Sequence, residues 1–184
     1  MTAPSSFSTM CTSNCAFELI GLLLSLSIFH PVAQVYILTD TKTKQIISEI
    51  SPPPKLNINY FIELDKYDGM NRQIMENNGI WSDFQMSKAN IIKYALVVHA
   101  DTLLLGSDII ITDVIDDIDN SKDIGVSPHY MRKDITDKYG YFNGGMLWTK
   151  NINVPDKWIE YTKTSRYFDQ ASIENLSNEF SYFE

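Results

Sequence analysis

The run Gln34–Asp40, QVYILTD, constrains the fold more than any other segment. Its apolar residues are contiguous, not alternating, and it ends in an acid. A strand of that kind is buried on both faces, and such burial belongs to parallel sheets with helices packed on either side. The stretch before it, from about Cys15 to Phe29, is long enough for a crossover helix and is stopped by His30-Pro31. Before that helix lies a short β-prone run, Ser6–Thr12, followed by Ser13 and Asn14 as candidate N-caps. Strand, helix and parallel strand are therefore expected at the very start of the chain.

The same alternation continues. TKTKQIISEIS reads as a helix closed by Pro52-Pro53-Pro54, and Asn57–Leu64 as a third strand. Trp81–Leu96 reads as one amphipathic helix with Phe84, Ile91, Ile92, Tyr94 and Ala95 near one face and Ser82 or Asp83 as its cap. Asp101–Asp116 holds two apolar runs split by Gly106-Ser107-Asp108. DIGVSPHY and YGYFNGGMLWTK read as two short strands with a Gly-rich turn, and DKWIEYTK and FDQASIENLSNEF as closing helices. The expected fold is α/β over residues 1–184 as one domain, an open, mostly parallel sheet flanked by helices.

Composition narrows the partners. A formal net charge of −8 with only 15 Lys and Arg leaves little material for a basic face, so nucleic acid is not expected as a partner. Phe17–Phe29 contains Glu18, Ser25 and Ser27 and falls short of the ~20 apolar residues of a spanning helix, so no transmembrane segment is expected. No basic region precedes it, which argues against a secretory signal. Cys11 and Cys15, without a second pair, suggest neither a zinc site nor a disulfide framework, and fit reduced thiols in the cytoplasm. Aromatics at 12% suit a wide cleft, but suit a packed core better.

In open α/β sheets the ligand sits beyond the carboxyl ends of the strands. That rule selects Thr12, Asn14, Asp40, Gly106–Asp108 and Asn143–Gly145. Each has an ordinary reading as well. Gly106-Ser107-Asp108 is a plausible turn, yet an acid between two apolar runs needs a partner, and a divalent cation on a diphosphate would be one. Asn143-Gly144-Gly145 is either a bulge or a close approach by a ligand, with an amide able to read sugar hydroxyls. Asp169 is a natural helix N-cap. Lys88 is either a solvated helix lysine or a cation aimed at phosphate. His30, His99 and His129 do not pair at helical spacing and are read as structural or exposed.

Taken together, FQMSKANIIKYAL, DTLLLGSDIII, YGYFNGGMLWTKN and FDQASIENL, with the N-terminal CTSNCAFELIGLLLSL and VYILTD, resemble the GT-A glycosyltransferases. The closest likeness is to glycosyltransferase family eight and its lipopolysaccharide galactosyl- and glucosyltransferase relatives. The resemblance runs over nearly the whole chain. It implies that Thr12, Asn14 and Asp40 hold base and ribose, and that Lys88, with Ser107, lies against the diphosphate. It places Asp108 as the second acid of an Asp-x-Asp metal motif for Mn2+ or Mg2+. Asn143, Gly144 and Gly145 match the sugar-binding strand, and Asp169 and Gln170, with Asn143, the residues at the reacting centre. The implied reaction moves a sugar from a nucleoside diphosphate sugar, expected to be a UDP-sugar, to a hydroxyl of a glycan, lipid or protein. Retention of anomeric configuration is implied by the same resemblance.

Two departures stand out. Gly106 occupies the place of the first metal-motif acid, and Asp101, before the strand, is a poor substitute. The family also continues to a late His and acceptor-binding segments, whereas this sequence ends at Glu184, so the family's C-terminal segment is expected to be lacking. The alternative is therefore a catalytically impaired relative that binds a nucleotide sugar. A nucleotidyltransferase is a weaker third reading, because CTSNCAF lacks the glycines and basic residue of a triphosphate loop.

Overall fold

The computed structural model describes residues 2–50 and 55–184. The triplet Pro52-Pro53-Pro54, expected to close the second helix, lies outside the described residues. The first strand, β1, is Phe7–Cys11; helix α1 is Ala16–Phe29; β2 is Gln34–Thr39. Helix α2 (Thr41–Ser48) and strand β3 (Asn57–Ile62) follow. A short helix that the sequence did not announce, α3 (Arg72–Asn77), comes next, and the segment expected as one helix over Trp81–Leu96 is two pieces, α4 (Trp81–Met86) and α5 (Lys88–Val98). Next come β4 (Thr102–Leu105), β5 (Ile124–Pro128), α6 (Lys133–Tyr139) and β6 (Phe142–Thr149). Helices α7 (Val154–Thr162) and α8 (Phe168–Glu179) and the short strand β7 (Tyr182–Phe183) close the chain.

The strands form one sheet in the order β3-β2-β1-β4-β6-β5-β7. Pairs β1–β2, β2–β3, β1–β4 and β5–β7 are parallel, and β6 is antiparallel to both β4 and β5. The mostly parallel sheet read from the sequence is what forms. Strand β2 explains why. Val35 and Ile37 face one core, shared with Leu19, Leu23 and Leu26 of α1. Tyr36 and Leu38 face the other, shared with Ile91 and Ile92 of α5 and Ile173 of α8. Period-two alternation sends successive side chains to opposite faces, so a contiguous apolar run is what a two-sided core requires. Each such leucine or isoleucine contributes roughly 1.5–3 kcal/mol by leaving water.

Several local expectations are corrected. Ser13 and Asn14 do not cap α1; they sit in a 3-10 turn, and Cys15 holds the N-cap position without a side-chain bond. Neither Ser82 nor Asp83 caps α4, whose N-cap is Ile80. The break at Ser87 is local chemistry: its hydroxyl donates to the Asp83 carbonyl, a back-bond that bends helices. The second apolar run, Ile109–Ile111, is not a strand; it crosses beneath α1, where the Ile111 amide donates to the Ser25 hydroxyl. The C-terminal aromatics pack on the domain, Phe183 against Trp148 and Tyr182 near Phe142. Among the described residues no helix is long and apolar enough to cross a membrane.

Candidate functional site

At the carboxyl ends of β1 and β4 the surface opens into a cleft with two adjoining compartments, of about 490 and 360 Å³. Met10, Cys15, Arg72, Trp81, Phe84 and Ser107 line both and form the wall between them. The larger compartment adds Lys88, Asp108, Gly144, Gly145, Asp169 and Gln170; the smaller adds Thr12, Asn14 and Met70. With Gly106, which also lines the larger compartment, ten of the site residues singled out from sequence thus meet around one cleft although they span most of the chain.

The floor of the larger compartment is an ion pair. The helix break at Ser87 places Lys88 at the first position of α5, and its Nζ pairs with the Asp169 carboxylate. The same Nζ donates to the Gly144 carbonyl at 2.8 Å and lies 4.8 Å from the centre of the Trp158 ring. Trp158 Nε1 in turn donates to the Asp169 carbonyl at 2.8 Å. Asp169 is therefore not the cap of α8; Tyr167 is at that position. Phe168, between them, has φ of 41°, a left-handed conformation that costs a non-glycine residue about 1–3 kcal/mol. That strained turn aims Asp169 at Lys88. Gly144 is required beside it: a Cβ there would lie 2.7 Å from Asp169 Oδ2. Gln170 donates through Nε2 to the Tyr139 carbonyl, which leaves its oxygen as an acceptor on the cleft wall.

Two predicted residues stand behind the cleft. Asp40 is 1% exposed, and its carboxylate accepts from the amides of Ser13 at 2.8 Å and Thr43 at 2.6 Å. It caps α2 and fixes the loop that presents Thr12 and Asn14. Asn143 turns its side-chain oxygen onto the Gly145 amide at 2.8 Å and holds the Gly-rich stretch of β6 in place. Asn14 lines the smaller compartment and also donates to the Met70 carbonyl, tying the first loop to the one before α3.

Asp108 is exposed at the end of the β4 turn. The Gly106 amide donates to the Gly145 carbonyl at 2.7 Å, so the turn is pinned to β6. A Cβ on Gly106 would sit 2.9 Å from Asp108 Oδ1, so a side chain at 106 would converge on the same point as the Asp108 carboxylate. Among the described residues no group of three or more His, Cys, Asp or Glu is disposed to hold a metal ion. The residues present fit a divalent cation only as one carboxylate supplemented by phosphate oxygens and water, a mode that Mg2+ sites commonly use. Asp101 accepts from the Ser5 amide at the opposite end of β4 and offers nothing here. His30 accepts from the Ile115 amide and His99 bonds the Tyr36 hydroxyl, so both have structural partners.

Sequence reasoning missed Arg72 and Tyr167 and gave Trp81 and Phe84 no part in the cleft. The guanidinium of Arg72 bonds Glu76, reaches the Tyr167 hydroxyl at 3.4 Å and lies 5.3 Å over the Trp81 ring. Trp81 and Phe84, spaced three apart, carried a signal that was indistinguishable from a core face. The cleft's charged groups are Lys88 and Arg72 against Glu18, Asp108 and Asp169.

The two thiols differ in this setting. Burial, then Cys15, pushes the Cys11 thiol up to about 12. Cys15 is exposed on the cleft wall and is raised by partial burial, then by the Glu18 and Asp108 carboxylates. Because the thiolate is the reactive form, alkylation of the native protein is expected at Cys15 alone, at a rate still climbing above the ordinary thiol value of 9.0. Mass spectrometry after timed alkylation across a pH series checks this; equal labelling of Cys11 would mean that the first loop opens.

No family model matches the chain. No curated protein matches it. Solved structures do. An active-site mutant of LgtC aligns with TM-score 0.64 and 16% identity, over 93% of this chain and 69% of that one. The glycosyltransferase GlyE of Streptococcus pneumoniae TIGR4, apo form, aligns with TM-score 0.61 and 15% identity, over 99% of this chain and 45% of that one. Mouse xyloside xylosyltransferase 1 aligns with TM-score 0.59 and 10% identity, over 91% and 78%. The chain therefore spans less than half the length of GlyE, and at these identities the likeness is one of architecture. Sheet order, the cleft at the strand ends and these alignments agree that this chain has the GT-A glycosyltransferase fold.

Proposed function

We propose that the chain binds a nucleoside diphosphate sugar, with a UDP-sugar the expected donor, and transfers the sugar to a hydroxyl of a glycan, lipid or protein acceptor. The observation that carries the reading is the buried Lys88–Asp169 pair facing the Gly106–Asp108 turn across one cleft. The smaller compartment, with Thr12 and Asn14, suits base and ribose. The larger, with Asp169, Gln170 and the Gly144–Gly145 backbone, suits a sugar. Lys88 fixes the Asp169 carboxylate, and the Gln170 oxygen accepts from a sugar hydroxyl, so that the anomeric carbon is oriented for attack. Asp108, together with the diphosphate, would hold Mn2+ or Mg2+, which when bound neutralises charge on the departing nucleotide.

A second reading has its own observation. Gly106 leaves Asp108 as the lone carboxylate of the turn, which favours a relative that binds donor but turns it over poorly. Thermal melts with UDP, GDP and UDP-glucose, each with and without Mn2+, separate the two when made on the natural chain and on Gly106→Asp beside an assay of donor hydrolysis, since metal-independent binding without hydrolysis favours the second. A ligand at a hundred times its Kd adds about 2.7 kcal/mol. Gly106→Asp is expected to raise the Mn2+-dependent part of the UDP shift, since its carboxylate would join that of Asp108. No shift with any nucleotide in either chain would sink the donor-binding reading.

A further inference from the structure

A diphosphate in this cleft needs a cation at the junction of the two compartments, where the nucleotide half of a donor meets its sugar half. Lys88 is already engaged by the Asp169 carboxylate and the Gly144 carbonyl, on the floor of the larger compartment. Asp108 and Glu18 repel an arriving phosphate, and Gly106 removes the carboxylate that would strengthen a metal's hold. Among the described residues one basic side chain lines both compartments, and it is Arg72.

Its setting is that of a positioned group. Glu76, four residues on, takes Nε at 2.7 Å. The Trp81 ring lies beneath the guanidinium, and the Tyr167 hydroxyl touches Nη2 from the opposite rim, next to the strained Phe168 turn. With Nε on Glu76 and one N–H of Nη2 on Tyr167, Nη1 and the second N–H of Nη2 remain as a fork, the shape that binds two phosphate oxygens at once. The side chain is 53% exposed, so the fork is open to a ligand. We propose that Arg72 binds the donor diphosphate across the junction, so that nucleotide binding depends on this guanidinium more than on a divalent cation. The inference rests on the nucleotide-sugar reading of the cleft.

Calorimetric titration of the full chain with UDP and with uridine, in EDTA and in Mn2+, tests it. The chains to compare are the natural one, Arg72→Gln, Arg72→Lys and the control Arg132→Gln, which removes an equal charge outside the cleft. Natural chain and control should bind UDP in EDTA. Arg72→Gln should weaken UDP about 10- to 100-fold, as loss of charged hydrogen bonds does, and leave uridine unchanged. Arg72→Lys should fall between, keeping the charge without the fork. Equal UDP affinity in Arg72→Gln and the natural chain overturns the inference while leaving the donor site standing, and so does binding that appears only with Mn2+. Failure of every chain to bind UDP under both conditions overturns the donor reading and this inference with it.

Discussion

Replacing Lys88 by Met should lower the unfolding free energy by about 3 kcal/mol, the low end of the cost of leaving one member of a buried ion pair alone. The side chains of Lys88 and Asp169 are 12% and 6% exposed, so water screens the pair little. Methionine fills much of the lysine stem's volume, which confines the loss to charge and hydrogen bonding. The Asp169 carboxylate would lose its counter-ion, the Gly144 carbonyl a donor at 2.8 Å, and the Trp158 face its cation. Urea denaturation of the natural chain, Lys88→Met, Asp169→Leu and the double variant forms the cycle that isolates the pair. The double variant should recover much of the loss, because it buries no unpaired charge. A single-variant cost below about 1 kcal/mol would instead mean that the pair is solvated like a surface bridge.

That pair also marks the limit of what the sequence disclosed. The fold was legible because its signals are local. Contiguous apolar runs at Gln34–Thr39 and Thr102–Leu105 can be satisfied only between two helical layers, and Pro31 punctuates the chain, whereas the expected Gly-rich turn at Gly144-Gly145 is an interior stretch of β6. The site was legible in part because strand ends are fixed by those same runs, and Thr12, Ser107, Asp108, Gly144 and Gly145 line one cleft. The rest depends on partners distant in sequence. Asp40 looks like a ribose ligand until two amides, from Ser13 and Thr43, are seen to occupy it. Asn143 looks like a sugar ligand until its oxygen is found on Gly145. Asp169 looks like an N-cap until Lys88, 81 positions earlier, claims its carboxylate. Arg72 carried no local signal, because what gives it meaning is the Tyr167 hydroxyl 95 positions later and a cleft wall assembled from four segments. The break between α4 and α5 was hidden for a different reason. A serine back-bond ends α4 inside a segment whose apolar pattern continues unbroken.

Gly144→Ala should cost little in nucleotide affinity and much in handling of the sugar. The added methyl would meet Asp169 Oδ2 at 2.7 Å and the Gln170 Cα at 3.3 Å. The first contact is with the very oxygen that pairs with Lys88, and the second is with the backbone of α8, which cannot swing aside as a side-chain tip would. The first turn of α8 must shift outward, carrying Asp169 and Gln170 with it. A misplacement near 1 Å at a positioning group can cost about a hundredfold in rate, so sugar transfer or donor hydrolysis should fall by roughly that factor. Overpacking adds a stability loss of about 1–3 kcal/mol, readable in a melt. Thr12 and Asn14 line the other compartment and should hold UDP as before. The decisive quantity is the affinity difference between UDP-glucose and UDP, which isolates the sugar and can be measured even if turnover is slow. If that difference is unchanged in Gly144→Ala while the protein remains folded, the sugar does not lie against α8. The larger compartment would then have to be reassigned, leaving the Lys88–Asp169 pair as a strut of the fold.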